Sequence, residues 1–253
     1  MTIKKLVILN YLLFFSCAFA SELSADDILI KVMDRMKGVD YSFEVSIKKQ
    51  KKGKLDKNQI YKFSLLYPVQ SRFSNISYIQ TLAPKNLQDV KFWEYKFKDG
   101  SQPKRWMTMP VTGKLKDMTD KKPNKSEFNF SDLEISLQII NDSNNKIIDN
   151  VQFNKRDVFV VESIDKRSKE VKKIWIDKNE FFVLKSEFYT KSGRKSKVIK
   201  VGDLSKINNI IFPKSIEIKD LRRKTKYNLE IYNFELKPDY NLNEFYPIGI
   251  KVD

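Results

Sequence analysis

The 253-residue chain carries 48 lysines and arginines against 32 aspartates and glutamates, with no histidine and one cysteine, for a formal charge of +16. Without imidazole, and with its single thiol inside an apolar leader, it lacks the groups for His-assisted serine or cysteine nucleophiles, imidazole-ligated zinc, thiolate metal sites or an internal disulfide. Carboxylate, lysine, tyrosine and serine chemistry remain.

The chain opens with Lys4-Lys5, an apolar run from Leu6 to Phe15, and Ala18-Phe19-Ala20, the small-x-small pattern that signal peptidase accepts. Residues 1–20 therefore read as a secretory leader cleaved after Ala20. The run is too short to span a bilayer comfortably, and no later segment approaches the roughly 20 apolar residues a membrane helix needs. The competing reading makes Ser16-Cys17 a lipoprotein processing site with Cys17 acylated, which Phe14 and Phe15 disfavour. Cleavage leaves 233 residues with a formal charge of +14. For an exported chain that bias points to anionic lipid head groups or an acidic partner rather than to nucleic acid. The plain alternative is that a lysine-rich surface only keeps the protein soluble.

Ser24-Ala25-Asp26-Asp27 followed by Ile28, Leu29, Val32, Met33 and Met36 predicts a capped amphipathic helix that Gly38 ends. Beyond Gly38 the period falls from about 3.6 to 2. Tyr41, Phe43, Val45 and Ile47 alternate with Ser42, Glu44, Ser46 and Lys48, and Lys51-Lys52-Gly53-Lys54 makes a basic hairpin tip. Further strand runs lie over 59–67, 72–81, 89–97, 106–109, 147–153, 157–164, 172–176, 181–189, 197–201, 214–219 and 226–236. A short helix is expected from Ser131 through Leu137 and Ile140. About ten short strands joined by turns form a meandering antiparallel sheet, with one face wet and the other apolar. No repeat, linker or low-complexity block marks a second domain, so residues 21–253 are expected to form one.

No phosphate loop of either glycine-rich type occurs. Asp142-Ser143-Asn144-Asn145-Lys146 begins like a calcium loop, but Ile147 and Phe153 stand where glycine and glutamate belong, so it reads as a turn. Carboxylate pairs such as Asp132 with Glu134, or Glu217 with Asp220, have the spacing chance produces. The run Lys91-Phe92-Trp93-Glu94-Tyr95-Lys96-Phe97-Lys98 has the aromatic and cationic character of a single-strand nucleic-acid groove. Strand alternation explains the same residues without a ligand.

Several segments in order resemble the outer-membrane lipoprotein-sorting proteins, whose fold is that of the periplasmic carrier LolA and the receptor LolB. They are Trp106-Met107-Thr108-Met109-Pro110, the basic strand Gly113-Lys114-Leu115-Lys116-Asp117-Met118, and Ser126-Glu127-Phe128-Asn129-Phe130-Ser131-Asp132-Leu133. Downstream, Lys173-Ile174-Trp175-Ile176-Asp177, then Leu184-Lys185-Ser186-Glu187-Phe188-Tyr189, Phe212-Pro213 and Asn243-Glu244-Phe245 keep the family order. The resemblance implies a mainly β fold: a single curved antiparallel sheet forming an incomplete, half-open β-barrel, with the N-terminal helix and a short internal helix as its lid. It also implies a periplasmic location and an apolar pocket for acyl chains of a lipid or lipoprotein.

On that footing Trp106, Met107, Met109, Phe128, Phe130 and Trp93 are the candidate lipid contacts of the sheet. Ile28, Val32 and Met36 are those of the lid. The alternative for each sheet residue is ordinary barrel core. The expected function is transfer of shielded acyl chains toward the outer membrane by a monomer, with an inner-membrane transporter and an anionic membrane surface as further partners. No enzyme activity, metal, cofactor or nucleic-acid partner is expected. The alternative function is a lipid- or lipoprotein-sensing or protein-binding module on the same fold.

Overall fold

A computed structural model describes residues 23–88, 90–121, 133 and 135–247. The expected leader, Cys17, Phe128, Phe130 and the start of the expected internal helix lie outside the described residues.

The N-terminal helix α1 spans Ala25–Asp34, and its cap is the one its sequence implies. The Ser24 hydroxyl accepts from the Asp27 amide at 3.1 Å while the Asp27 carboxylate accepts from the Ser24 amide at 3.1 Å. Gly38, at φ +77°, lies in the left-handed region that lets the chain turn away from the helix. Strands follow as β1 (Tyr41–Lys51), β2 (Lys54–Leu66), β3 (Phe73–Ala83), β4 (Lys91–Phe97), β5 (Lys104–Thr108) and β6 (Leu115–Asp117). The short helix α2 (Leu137–Asn141) precedes β7 (Ser143–Phe153), β8 (Arg156–Asp165), β9 (Val171–Asp177), β10 (Val183–Tyr189) and β11 (Lys195–Val201). The series closes with β12 (Leu204–Ile207), β13 (Ile210–Pro213), β14 (Ser215–Asp220) and β15 (Thr225–Leu236). A 3-10 turn at Leu242–Phe245 follows.

Thirteen strands form one curved antiparallel sheet in the order β6-β5-β4-β3-β2-β1-β15-β14-β11-β10-β9-β8-β7, and it does not close into a barrel. This is the mainly β, half-open architecture expected from the sequence. Most neighbours are sequential hairpins. The exceptions are β11 with β14 and the seam where β1 pairs with β15, from Tyr41 opposite Leu236 to Lys51 opposite Thr225. The strand β12 pairs only with β13, forming a ribbon inserted between β11 and β14. The ribbon folds back tightly: Gly202 donates to the Ser215 carbonyl at 2.9 Å, and a Cβ on Gly202 would collide with the Ser215 hydroxyl.

Residues opposite each other across antiparallel strands share a face, so the register sorts the side chains. Val45 faces Ile231, Ile47 faces Leu229, Leu229 faces Ile216 and Ile218 faces Ile199. Through Ser186 the same face continues to Ile174 and Val161. The helix α1 packs there: Ala25, Ile28 and Leu29 form one buried cluster with Ile140, Val161, Ile174 and Ile176. We call this the helix face and its opposite the reverse face.

Two features bind the edges of this arrangement. Arg35, just past α1, donates to the Ile211 carbonyl of the ribbon at 2.6 Å and lies over the Phe182 ring at 4.8 Å. Asp177, which ends the Trp175-Ile176-Asp177 segment, is buried and accepts from Arg156 at 2.8 Å and from the amides of Asn179 and Glu180 at 2.9 Å. Burial pushes its carboxyl pKa up, but these bonds outweigh burial and hold it below the usual range. That aspartate is a turn-forming residue.

Candidate functional site: an aromatic strip on the helix face

Among the described residues the helices cover the helix face near β7 to β10, and Leu133 packs against its middle beside Phe43 and Tyr61. Toward the middle of the sheet, half-buried rings line up across three strands. Phe43 of β1 stacks on Phe63 of β2 with centroids 5.0 Å apart, and Tyr41 stacks on Phe234 of β15 at 5.7 Å. Phe234 also stacks on the buried Phe212 of the ribbon at 4.1 Å. The strip continues in register through Ile79 of β3, opposite Phe63, to Phe92 of β4 and Met107 of β5. All three of these are half-buried. It ends at a polar cluster in which Glu94 bridges Arg105 at 2.5 Å and Lys96 at 3.5 Å. Apolar side chains that are half-buried in the folded chain retain surface for a further apolar group.

Phe234 reaches this strip through a backbone irregularity. The β1–β15 register shifts between Ser42 and Glu44, and Asn233 sits at φ +50°. The extra residue is a β-bulge that reverses the alternation, turning Phe234 toward Tyr41 and Phe43.

The residues proposed from sequence separate into three groups. Ile28 is fully buried and Val32 is half-buried against the same cluster, so both belong to the helix face at its α1 end. Met36 is half-buried in the turn that follows α1. Met107 lies on the helix face at the opposite end, and Met109 is half-buried in the turn after β5, where its amide bonds the Lys114 carbonyl at 2.8 Å. Trp93 and Trp106, paired across β4 and β5, point to the reverse face. There they pack with Leu66, Phe73, Ile76, Tyr78, Tyr95 and Phe245, so the protein's own side chains fill that space. The Trp93 indole donates to the Glu244 carbonyl at 2.8 Å and the Tyr95 hydroxyl to the Phe245 carbonyl at 2.6 Å. Burial raises the Tyr95 pKa well above the usual phenol range.

Phe43, Phe63 and Phe234 were not singled out from the sequence. The alternations Tyr41/Phe43/Val45 and Tyr61/Phe63/Leu65 carried the signal for the first two. Nothing in the sequence announces the bulge that redirects Phe234.

The reverse face between β7 and β15 is built differently. Glu162 bridges Lys146 and Lys173, Glu187 bridges Lys185 and Lys195, and Glu217 bridges Lys219 and Lys226, at 2.6 to 3.5 Å. Each carboxylate is thus held between two cations. For Glu187 burial pushes the pKa up, yet bonds from Lys185, Tyr189 and Lys195 outweigh burial and lower it from 4.5 to about 2. A depressed carboxylate stabilises the fold above its unfolded pKa and loses that contribution as pH falls through the folded value. Wild-type stability should therefore drop between pH 4.5 and about 2, and Glu187→Gln should flatten that part of the curve. At neutral pH the same substitution should cost about 2 kcal/mol, because it leaves two lysines without their counter-charge. Urea titrations of both proteins across this range check the window. Among the described residues no group of three or more His, Cys, Asp or Glu side chains is placed to hold a metal ion.

A half-open antiparallel sheet with helices on one face defines the LolA-type fold, and comparison with solved structures shows that fold. A DUF1329 family protein from Desulfovibrio piger superposes with a TM-score of 0.74 at 14% identity, covering 88% of this chain and 95% of that one. A domain named for outer membrane lipoprotein sorting, from Vibrio parahaemolyticus, gives 0.71 at 17% identity over 87% and 95%. A LolA superfamily protein from Nitrosomonas europaea gives 0.62 at 18% identity over 89% and 99%. No curated protein matches by sequence. Residues 74–247 match the model of a family described as "Uncharacterized protein", and the chain belongs to that family.

Proposed function

We propose that this protein carries the acyl chains of a lipid or lipoprotein on its helix face, acting by binding and not by catalysis. The observation that carries this reading is the half-buried strip Tyr41, Phe43, Phe63, Phe234, Phe92 and Met107, on the same face that the helices cover near β7 to β10. Burying one methylene is worth about 0.8 kcal/mol, so a tail of about sixteen carbons leaves a membrane only at a penalty of about 12 kcal/mol unless something shields it. A sheet with half-buried rings on one face and lysine–glutamate bridges over part of the other meets that need.

In this reading residues 1–20 are a leader removed after Ala20, residues 21–253 form the lipid-binding domain, and the protein works in the periplasm in transit toward the outer membrane. The cargo contacts are the strip itself, with Val32 and Met36 on the lid side, while the fully buried Ile28 anchors the helix to the sheet. Trp93 and Trp106 support the sheet from behind.

The test is to purify the protein without detergent, extract it with organic solvent and identify bound lipid by mass spectrometry, alongside displacement of a fluorescent fatty acid. Phe63→Asp should weaken fatty-acid binding roughly thirtyfold or more, the equivalent of about 2 kcal/mol of lost apolar contact. Lys62→Ala, one residue earlier and on the other face, should leave it unchanged. No extractable lipid together with no displacement would overturn the carrier reading in favour of a protein-binding role.

A further inference from the structure

The sheet order sets four hairpin turns side by side at one end of the molecule. In sequence they are Lys51-Lys52-Gly53-Lys54, Lys166-Arg167-Ser168-Lys169-Glu170, Thr190-Lys191-Ser192-Gly193-Arg194 and Leu221-Arg222-Arg223-Lys224. They join β1 to β2, β8 to β9, β10 to β11 and β14 to β15, and those eight strands are consecutive neighbours in the sheet. A line of paired residues crosses them: Lys51 with Thr225, Thr225 with Asp220, Asp220 with Lys197, Lys197 with Phe188, Phe188 with Lys172, and Lys172 with Ser163. The four turns stand just beyond that line. At about 4.8 Å per strand they span an arc of roughly 34 Å.

Between the strands these turns hold nine lysines and arginines and one acid, Glu170, with Lys51 and Lys54 at the adjoining strand ends, and every one of those cations is exposed. Arg223 is tied to Asp220 at 2.7 Å, and the others carry no ion pair among the described residues. Flanking acids are engaged locally: Asp56 pairs with Lys49 at 2.9 Å, and Asp165 accepts from the amides of Arg167 and Ser168. The turns at the other end, joining β2 to β3, β4 to β5, β7 to β8 and β9 to β10, hold four cations and two acids. The charge is therefore directional. Two leucines stand among the cations, Leu55 at 64% exposure and Leu221 at 45%.

We infer that this crown of turns docks the protein end-on against a bilayer containing anionic phospholipid. A row of exposed cations tens of ångströms long meets a continuous layer of phosphates better than it meets one free phosphate. The exposed leucines give the crown an apolar component, which a membrane interface rewards and a soluble polyanion does not. Docking of this kind does not depend on what the helix face holds.

The test is co-sedimentation with vesicles of phosphatidylcholine alone or mixed with phosphatidylglycerol, with circular dichroism to confirm folding. Every variant shares the same N-terminal segment, so differences between variants report the crown. The protein should partition to the anionic vesicles and be released on raising salt from about 0.1 M to about 1 M. The variant Lys51→Gln/Lys52→Gln/Arg222→Gln/Lys224→Gln should bind them roughly a hundredfold more weakly. A variant neutralising Arg72, Lys98, Lys155 and Lys178 at the other end removes the same charge and should bind as the parent does. Equal loss in both variants would mean that only net charge matters and would overturn the crown. Binding to heparin as tight as to anionic vesicles, and unchanged by Leu55→Ser/Leu221→Ser, would assign the surface to an acidic macromolecule and overturn the membrane assignment.

Discussion

Replacing Phe245 with alanine is expected to destabilise the protein by about 3–5 kcal/mol, the usual range for deleting a buried aromatic side chain. Phe245 is wholly buried, with its ring 6.0 Å from that of Tyr78 and 4.8 Å from that of Tyr240. It closes the reverse face over Trp93 and Trp106, and its carbonyl receives the Tyr95 hydroxyl. Loss of the ring should loosen that strap and admit water to both indoles. Tryptophan emission of the folded variant should shift to the red before any global unfolding, and urea titration should give the destabilisation. An unshifted spectrum with unchanged stability would show that the C-terminal turn is not what shields those tryptophans.

Ile28→Asp should be comparably severe, for a different reason. Ile28 has no exposed surface and packs among Val161, Ile174 and Ile176. A carboxylate there is buried without a partner while a large apolar contact is lost, and such changes exceed about 4 kcal/mol. Because α1 is joined to the sheet only at its C-terminal end, the helix should come away while the strands persist. Limited proteolysis should cut between residues 25 and 38, with the strand signal in circular dichroism retained. Lys31→Asp, on the exposed side of the same helix, should stay within about 0.5 kcal/mol of the parent. Detachment of α1 should also weaken fatty-acid binding if the helix flanks the cargo.

The helix was legible because its signals are local: a capping box at Ser24 and Asp27, an apolar stripe, and Gly38 to stop it. Most strands were legible for the same reason, since period-2 alternation at Tyr41–Ile47 or Val158–Ile164 needs only one strand to be seen. Fifteen strands form among the described residues, of which twelve follow runs marked by alternation and β6 follows the basic strand of the family resemblance. The missed ones are the ribbon strands β12 and β13, each four residues long, too short for a pattern to accumulate. The start of β2 at Lys54 was hidden because Lys54 to Asn58 carries one apolar residue, Leu55, too few to show alternation. That polarity suits a hairpin arm standing clear of the core.

The site was less legible than the fold. In Phe92-Trp93-Glu94-Tyr95 both faces of the strand carry rings, so alternation alone does not say which face meets solvent, protein or cargo. That choice is made by Phe245, some 150 residues away, which covers the tryptophan side. A large tryptophan is a natural first guess for an apolar site, and here its own chain occupies it. Conversely, Phe43 and Phe63 stand in plain strand alternation, which marks no site. Their significance comes from their place beyond the helices that, among the described residues, cover β7 to β10.

The seam between β1 and β15 has a consequence for how the chain is made. Every other hydrogen-bonded neighbour in the large sheet except β11 with β14 is a sequential hairpin, so one half can assemble from the first six strands and the other from β7 to β11. Their union waits for a strand that begins at Thr225. Until the last tenth or so of the polypeptide has been delivered, the growing chain holds two separate meanders with raw edges. Such long-range closure is slow compared with hairpin formation. The stretch of time before the final strand arrives is when a holdase would matter most.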